Sequence, residues 1–274
     1  MVAISAFIER TLGPLSHLRS VGGGDTHASF QAHLLDGRTV FLKHSPIAHP
    51  FEAEALGLQA MRASGTSLWV PEPLAWDAHH LVLPWLEPGP PAPDHLLGEG
   101  LAQLHHATAE AFGFSVTGSC GATWQANPWT TDWPTFFLAH RMHPLVSAMQ
   151  WDAAANDAFD QLARQLPERL QTDEAPALVH GDLWSGNCLE TTHGHTLIDP
   201  AAHYAHREFE LGMMTLFGGF RPRVYEAYRA SWPLPSGWHD RVAIYRLYHL
   251  MNHAALFGGA YRRQARTALL DLAG

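Results

Sequence analysis

The sequence predicts a two-lobed α+β fold in which a small β-rich lobe precedes a larger, mainly helical lobe. Short apolar segments between turn residues fill residues 16–45, and such segments are typical of strands. Residues 87–93 are rich in proline, which removes backbone donors and stiffens the chain, so they mark a break in organisation. Helical periodicity dominates most of the chain after this break. We therefore predict a first lobe with its hinge at residues 1–86 and a second lobe at residues 87–274.

The elements of the first lobe follow from turn chemistry and from the spacing of apolar residues. Asp36-Gly37 is a favourable two-residue hairpin turn, because glycine tolerates the positive φ that such turns require. Apolar residues at three- and four-residue spacing indicate helices, and short apolar runs indicate strands. The predicted elements are a helix at 3–12, strands at 28–35 and 39–44, a helix at 51–63 and a strand at 81–83.

The second lobe combines helices with a hairpin. Two short apolar segments, 188–190 and 196–198, flank the turn sequence 191–195, and this arrangement predicts a β-hairpin. Helical periodicity recurs in other segments of the lobe. These lie at about 94–110, 132–149, 152–170, 222–230, 238–256 and 262–272.

Composition argues against several classes of protein. The 274 residues are 46% hydrophobic, which indicates a globular chain with a sizeable core. The formal net charge of −9 argues against nucleic acid as a partner, because phosphate binding requires a basic face. No apolar run is long enough to span a bilayer, and the first ten residues lack the pattern of a signal peptide. With two cysteines and no disulfide framework, we expect a cytoplasmic protein and, most simply, a monomer.

The strongest chemical signal in the chain is the segment HGDLWSGN at residues 180–187. Asp182 can accept the proton of an attacking hydroxyl, while Asn187 and Asp199 can supply hard oxygen ligands to Mg²⁺. Asp followed by Asn at the fifth position is the spacing of the kinase catalytic loop. The predicted hairpin would return Asp199 to the neighbourhood of Asn187. The pattern therefore indicates phosphoryl transfer, with His180 in a structural role that ties the loop to neighbouring backbone.

Phosphate binding has candidate residues in the first lobe. Three glycines lie between two predicted strands, where glycine lets backbone N–H groups approach phosphate. They are Gly22, Gly23 and Gly24. Lys43 ends the next strand, a position that resembles the kinase strand lysine. An acid on the following helix would orient this lysine, and Glu54 is preferred over Glu52 because it precedes the face expected to pack on the sheet.

The adenine slot is predicted at the hinge, from Leu83 to Leu86. Pro84 has a carbonyl group but no N–H, so it could accept a hydrogen bond from the adenine amino group. The matching donor must then come from Trp85 or Leu86. No P-loop of the G-x-x-x-x-G-K-[ST] type occurs in the sequence, which excludes that other route to ATP binding.

Further segments extend the kinase pattern along nearly the whole chain. They include FEAEALGL (51–58), LAQLH (101–105), DPA (199–201), LFGGF (216–220) and LMNH (250–253). With these segments the chain resembles the fructosamine kinases, also called ketosamine-3-kinases, within the wider group of aminoglycoside-phosphotransferase-like and choline-kinase-like enzymes. Trp184 inside the catalytic segment and the LFGGF segment indicate the narrower family.

The resemblance implies a protein-kinase-like bilobal fold, ATP as phosphoryl donor and Mg²⁺ as cofactor. It implies transfer of the γ-phosphoryl group to the 3-hydroxyl of a fructosamine or ribulosamine, with deglycation of amines or proteins as the physiological outcome. In that scheme Asp182 is the general base, and Asn187 and Asp199 bind the metal. Lys43 contacts the phosphates and Glu54 orients it.

The acceptor pocket is predicted with alternatives. Trp184 could stack against the C–H face of a sugar or could simply pack in the core. Glu208 and Glu210 could attract an amine, or they could be acids that favour a helix N-terminus. Tyr204 and His206 are open to the same two interpretations. We include Trp184, Tyr204, His206 and Glu208 as candidate substrate contacts.

Rival hypotheses differ in acceptor or in class. Another kinase of the same fold could act on an aminoglycoside, choline or a homoserine-like alcohol. A nucleotide-binding pseudokinase would be of another class, and it is disfavoured because Lys43, Asp182, Asn187 and Asp199 are all present. The 20 histidines also suggest a metal-binding protein, but they are scattered and lack the spacing of a metal motif.

Overall fold

A computed structural model of the protein describes residues 2–22 and 27–274. The first part of the chain is built around an antiparallel sheet with a helix before it and a helix inserted within it. Its elements are α1 (Val2–Thr11), β1 (Leu15–Val21), β2 (Ala28–Leu34), β3 (Thr39–His44), α2 (Phe51–Ala63), β4 (Ala75–Trp76) and β5 (His80–Pro84). Within the described residues the strand order is β1-β2-β3-β5-β4.

The second part of the chain is mainly helical. It contains α3 (Asp94–His105), β6 (Gly118–Cys120), β7 (Thr123–Gln125), α4 (Trp133–Phe137), α5 (His143–Met149), α6 (Ala153–Arg169), β8 (Ala177–Val179), β9 (Cys188–Thr191), β10 (Gly194–Leu197), β11 (His203–Ala205), α7 (Glu208–Met214), α8 (Pro222–Ser231), α9 (Trp238–Phe257) and α10 (Gly259–Ala273). The short strands pair antiparallel as β6–β7, β9–β10 and β8–β11. The predicted two-lobed α+β architecture, of the protein-kinase-like type, is therefore confirmed.

Local sequence signals fixed several elements closely. The helix predicted at 51–63 is α2 with the same two ends, and the helix predicted at 3–12 is α1 within one residue. Asp36-Gly37 forms the predicted turn between β2 and β3, with Gly37 at φ +90°. The predicted catalytic hairpin is the β9–β10 pair.

Two helical predictions need correction. The helix expected at 94–110 ends at His105. The segment expected as one helix at 132–149 is α4, a single π-helical turn at Leu138–Met142 and then α5. Pro144 is the second residue after the π-helical turn and lies in the first turn of α5.

The hydrophobic core is continuous between the two lobes. Side chains of α2 and β5 pack in one cluster with those of α3, α7 and the catalytic hairpin; examples are Phe51, Leu83, Leu101 and Leu197. Trp69 also exchanges backbone hydrogen bonds with the hairpin strand β10. The boundary between residues 86 and 87 thus stays a prediction, while the shared core joins the first lobe to the β9–β10 hairpin.

A second, larger cluster fills the helical lobe between α4, α6, α9 and α10. It is rich in aromatic rings that meet at tilted or edge-on angles, as Phe137 and Tyr245 do at 5.4 Å. This packing fixes α9, whose C-terminal half reaches the catalytic loop. Among the described helices, none combines the length and the apolar character that crossing a membrane would require.

Candidate active site

The β9–β10 hairpin brings the two predicted metal ligands together. A short 3₁₀ turn at Ser185–Asn187 leads into β9, and β10 returns the chain to the same place. There the amide of Ile198 donates a hydrogen bond to the carbonyl oxygen of Asn187 at 3.0 Å. Asp199 follows directly, with φ +57°. A non-glycine residue in this left-handed region is uncommon, which indicates that the surroundings hold Asp199 in place.

Lys43 links the sheet, helix α2 and the catalytic hairpin. Its Nζ lies 2.7 Å from Oε1 of Glu54 and 2.7 Å from Oδ1 of Asp199. Glu52 is exposed, so the structure pairs Lys43 with the preferred Glu54. Burial disfavours the charged ammonium, but Asp199 and Glu54 outweigh that effect and raise the pKa of Lys43. Lys43 is therefore a fixed positive charge in the lining of the cleft.

Glu54, the partner of Lys43, has a raised pKa. Burial raises the pKa of Glu54 to about 7, although Lys43 opposes this effect. Charge on Asp199 acts in the same direction as burial. The three groups therefore share charge within a small volume, and a cation or phosphate entering the cleft would change the balance among them.

Asp182 lies in the same cleft, partly buried and close to other acids. Burial raises the pKa of Asp182 to about 8; hydrogen bonds from Cys120 and Asn187 oppose this, and charge on Glu210 and Asp199 adds to it. The amide nitrogen of Asn187 donates to the carbonyl oxygen of Asp182 at 2.9 Å and approaches its carboxylate at 3.4 Å. A carboxylate held this way is a stronger proton acceptor than a solvated one, which suits a general base.

His180 has the structural role that its sequence position suggested. Its Nδ1 accepts the amide N–H of Asp182 at 3.3 Å, so its Nε2 carries the proton and donates to the carbonyl oxygen of Ile198 at 2.7 Å. Burial lowers the pKa of His180, which keeps the ring neutral. The imidazole thereby ties the loop that carries Asp182 to the strand that leads to Asp199.

Glu210 holds the backbone of the catalytic loop through hydrogen bonds, a role that the sequence did not reveal. Its buried carboxylate accepts the amide N–H of His180 at 2.5 Å and that of Gly181 at 3.2 Å. Burial favours the neutral acid, but His105, His180 and these donors outweigh burial and lower the pKa of Glu210. A residue predicted as a possible amine contact is thus a positioning residue for the loop.

Gly181 is required by the backbone at the same point. It has φ +82°, and a Cβ atom there would lie 2.3 Å from the carbonyl oxygen of Ala201. Any other residue would both strain the backbone and collide with the segment after Asp199. The glycine found where protein kinases have arginine therefore lets the two catalytic segments approach each other.

The cleft above these groups has a volume of about 820 Å³. Its inner end is formed by Lys43, Glu54, Asp182, Asn187 and Asp199. Its wall includes the β6–β7 hairpin and the end of α9, and its outer end is lined by aromatic side chains. Trp184, 41% exposed, also lines the cleft, with its indole over Gly186. The structure thus places Trp184 in the cleft and not in the core.

Cys120 and Asn252 complete the surroundings of Asp182 and were not predicted as site residues. The thiol of Cys120 hydrogen-bonds Asp182, and the side-chain amide of Asn252 donates to that sulfur at 3.3 Å. The Oδ1 atom of Asn252 is buried without a hydrogen-bond partner in the described part of the chain. Only the fold brings β6 and α9 to the catalytic loop, so local sequence patterns could not reveal this contact.

The predicted adenine slot lies at the end of β5, outside the lining of this cleft. The amide of Trp85 donates to the carbonyl oxygen of Thr39 at 3.2 Å, so it extends the sheet. Of the two donors predicted for adenine, this leaves the amide of Leu86. Gly22 lies in open space after β1, whereas the predictions for Gly23 and Gly24 fall outside the described residues.

Three predicted acceptor contacts are corrected by the structure. Glu208 is fully buried, and Arg241 holds both its carboxylate oxygens at 2.7 Å. His206 is also fully buried, between Tyr245 and Glu174. Tyr204 lies in β11 and does not belong to the described lining of the cleft. Glu208 begins α7, and all seven residues of that helix are buried.

The donor set at the inner end fits a magnesium ion. Asn187 directs its amide nitrogen at Asp182, which leaves its oxygen for a cation, and Asp199 adds a carboxylate. Mg²⁺ is commonly held by one or two protein oxygens while phosphates and water complete an octahedron. Lys43 adjoins Asp199 and supplies the positive charge that a phosphate chain requires.

Comparison with known proteins shows the family of the chain. The fructosamine kinase family model matches residues 1–273. A Synechocystis protein named "Probable ketoamine kinase" is 38% identical over 97% of this chain and 94% of its own. The chloroplastic protein-ribulosamine 3-kinase of Oryza sativa subsp. japonica is 34% identical over 94% of this chain and 79% of its own.

A crystal structure shows the same relationship. A fructosamine-3-kinase homologue from Thermobifida fusca YX-ER1 superposes with a TM-score of 0.90 at 31% identity, over 100% of this chain and 99% of that one. The similarity thus extends along nearly the full length of both chains. The chain belongs to the fructosamine kinase family.

Proposed function

We propose that this protein transfers the γ-phosphoryl group of Mg²⁺-ATP to the 3-hydroxyl of a ketosamine. One observation carries the proposal. A single cleft, large enough for a sugar, is lined by Asp182, Asn187, Asp199 and Lys43. The family uses ATP and acts on a sugar hydroxyl. The names of the relatives, ketoamine kinase and ribulosamine 3-kinase, favour the ketosamine over an aminoglycoside, choline or homoserine-like acceptor.

Asp182 is the general base in this proposal. Its carboxylate takes the proton of the 3-hydroxyl as the oxygen forms a bond to the γ-phosphorus, and the bond from that phosphorus to the bridging oxygen of ADP breaks. The raised pKa of Asp182, about 8 in the empty cleft, gives the carboxylate the basicity for this step. Cys120 and Asn187 hold the group in position through hydrogen bonds.

Asn187 and Asp199 would hold the metal, and Lys43 would bind the phosphates. Mg²⁺, when bound, neutralises charge on the transferred group and holds the phosphates in line. Glu54 holds the ammonium of Lys43 at the inner end of the cleft. Most of the rate enhancement then comes from positioning and electrostatics of groups fixed before the substrates arrive.

The hinge would bind adenine through backbone groups. The carbonyl of Pro84 would accept from the adenine amino group and the amide of Leu86 would donate to the ring, while Leu83 and Trp85 border the slot. Trp85 has its own amide engaged with Thr39, so it contributes its side chain only. The glycines at 22–24 would cover the phosphates.

The test is ADP release from Mg²⁺-ATP with a synthetic fructosamine, run beside an aminoglycoside, choline and a control without acceptor. Release that depends on the fructosamine, with phosphate found on its 3-hydroxyl, is the expected result. ADP release only with another acceptor would support kinase activity and exclude the ketosamine as the acceptor. Binding of ATP without release for any acceptor would support a non-catalytic nucleotide-binding protein instead.

A further inference from the structure

The outer end of the catalytic cleft is an exposed aromatic surface. Phe217, 40% exposed, and Phe257, 55% exposed, both line it, and so do His253 and Tyr261. We call these four side chains the aromatic rim. Large apolar groups left open to water in this way commonly mark a binding surface.

The members of the rim form one connected surface. The His253 ring is central, with its centroid 4.7 Å from that of Phe217, 5.4 Å from Tyr261 and 5.7 Å from Phe257. Phe257 ends α9 and Tyr261 begins the first turns of α10, so the bend between the two helices presents both rings to the cleft. The rim is therefore formed by the fold and is not a chance cluster of mobile side chains.

The rim is uncharged, in contrast to the inner end. The Nδ1 atom of His253 donates to the carbonyl oxygen of His249 at 2.9 Å, and burial lowers the pKa of His253, so its ring is neutral at neutral pH. Among the described residues that line the cleft, the carboxylates and the ammonium belong to the inner end. Among the described residues of the rim, none offers a counter-charge to an ionised substituent, whereas a hydrocarbon substituent would leave water against the rings.

The position of the rim relates it to one part of the acceptor. A ketosamine carries its nitrogen on carbon 1 and its reacting hydroxyl on carbon 3, so the nitrogen lies two carbons from the reacting carbon. With the hydroxyl at Asp182 and the sugar beside Trp184, the substituent on nitrogen must leave along the cleft. The rim lines the same cleft as Asp182 and Trp184. Its central residue, His253, directly follows Asn252, whose amide donates to the Cys120 sulfur beside Asp182.

We propose that the aromatic rim is the subsite for the substituent on the ketosamine nitrogen, and that it selects a neutral hydrocarbon substituent over a charged one. The inference rests on the proposed function and adds the feature of the acceptor that decides its affinity. The inner end would recognise the sugar and the nucleotide in every substrate. The rim would then rank ketosamines by the amine from which they were formed.

The test uses fructosamines that differ only in the nitrogen substituent: methyl, propyl, pentyl, benzyl and 4-aminobutyl. The pentyl and 4-aminobutyl groups have the same length and differ in a terminal methyl or ammonium. We expect kcat/KM to rise about fourfold per methylene from methyl to pentyl, through KM, because each methylene leaves water for an apolar surface. The 4-aminobutyl adduct should fall at least tenfold below the pentyl adduct.

Variants locate the effect. Phe257→Ala and, separately, Phe217→Ala should each reduce the ratio of kcat/KM between pentyl and methyl adducts by about fivefold, because each removes part of the apolar surface. Trp129→Ala is the matched control, since Trp129 is 52% exposed but lies outside the lining of the cleft, and it should leave the ratio unchanged. Two independent rim variants guard against a folding defect in either one.

Each outcome decides the proposal. A graded hydrocarbon preference that falls in both rim variants supports it. Equal kcat/KM for all adducts, or a preference for 4-aminobutyl, would overturn the rim while leaving the ketosamine kinase intact, because the methyl adduct would still be phosphorylated. No phosphorylation of any adduct would overturn the proposed function and the rim with it.

Discussion

The two ends of the catalytic cleft are built in different ways. At the inner end each charged or catalytic group is held by a buried partner, as Lys43 is by Glu54 and the loop of Asp182 is by Glu210. At the outer end Phe217 and Phe257 contact other aromatic rings and are 40% and 55% exposed. Chemistry common to all substrates thus rests on interlocked polar contacts, whereas the surface proposed for acceptor choice rests on apolar area alone.

This difference has a practical consequence. Substitutions at the inner end should change stability and turnover together, because the same hydrogen bonds serve both. Substitutions at the rim should change acceptor preference with little effect on folding, since exposed side chains contribute little to the free energy of unfolding. Four predictions test the buried polar contacts in and around the inner end, and a fifth measurement tests the catalytic base.

The largest effect on stability is expected outside both ends, at Arg241. Removing its guanidinium with Arg241→Met leaves the fully buried carboxylate of Glu208 unpaired, which should lower the free energy of unfolding by about 3–5 kcal/mol. Urea unfolding measures this, with exposed Arg223→Met as control. The acceptor KM of the folded variant should match that of the wild type. A large rise in the acceptor KM would contradict this and would support Glu208 as a contact of the acceptor.

At the inner end, Asp199→Asn should reduce turnover at least a hundredfold, or about 2.7 kcal/mol in the barrier. It removes a proposed metal ligand and a charge that holds Lys43, so Mg²⁺-nucleotide binding should weaken too. Steady-state kinetics and calorimetric titration measure the two effects. Asp157→Asn, on the exposed face of α6, is the control. Unchanged nucleotide affinity would remove Asp199 from the metal site.

Glu210→Gln should lower the free energy of unfolding by about 1–3 kcal/mol and reduce kcat. The substitution replaces one acceptor oxygen by an NH₂ group that faces the backbone donors of His180 and Gly181. Exposed Glu226→Gln serves as control for the loss of a carboxylate. A stability equal to that of the wild type would show that the loop does not depend on this anchor.

The smallest expected effect is a pH-dependent gain in stability from Asp182→Asn in the nucleotide-free protein. Burial raises the pKa of Asp182 from 3.8 to about 8. The stability contributed by a carboxyl with a raised pKa is present below pH 3.8 and is lost as pH rises to about 8. The asparagine side chain does not titrate, so the free energy of unfolding of the variant should increasingly exceed that of the wild type across this pH window. The difference should reach about 1 kcal/mol, because the partial exposure of Asp182 limits it. Urea unfolding at pH 4, 6 and 8 would contradict this if the difference stayed constant.

The sequence predicted the fold where local signals were strong. Helix α2 and the β2–β3 hairpin have apolar spacing or turn residues that leave little choice. Helix α7 was missed because all seven of its residues are buried, so it lacks the polar face that reveals a surface helix. The π-helical turn before α5 was missed because one inserted residue leaves the apolar pattern almost unchanged.

The site shows the same division between local and long-range information. Asp182, Asn187 and Asp199 could be predicted because a single hairpin joins them and their spacing is read along the chain. Glu210 and Asn252 were not assigned because their partners lie 30 and 132 residues away. Glu208 was predicted as an acceptor contact but forms a buried ion pair for the same reason, since its partner Arg241 is 33 residues distant.

The most direct test of Asp182 as the base is turnover by Asp182→Asn with Mg²⁺-ATP and a fructosamine, measured with nucleotide affinity on the same preparation. We expect ATP to bind about as well as in the wild type, while formation of the 3-phosphate falls by about 10²–10⁴-fold, the usual contribution of a positioned base. Near-wild-type turnover by this variant would contradict the assignment of Asp182 as the base around which the inner end of the cleft is built.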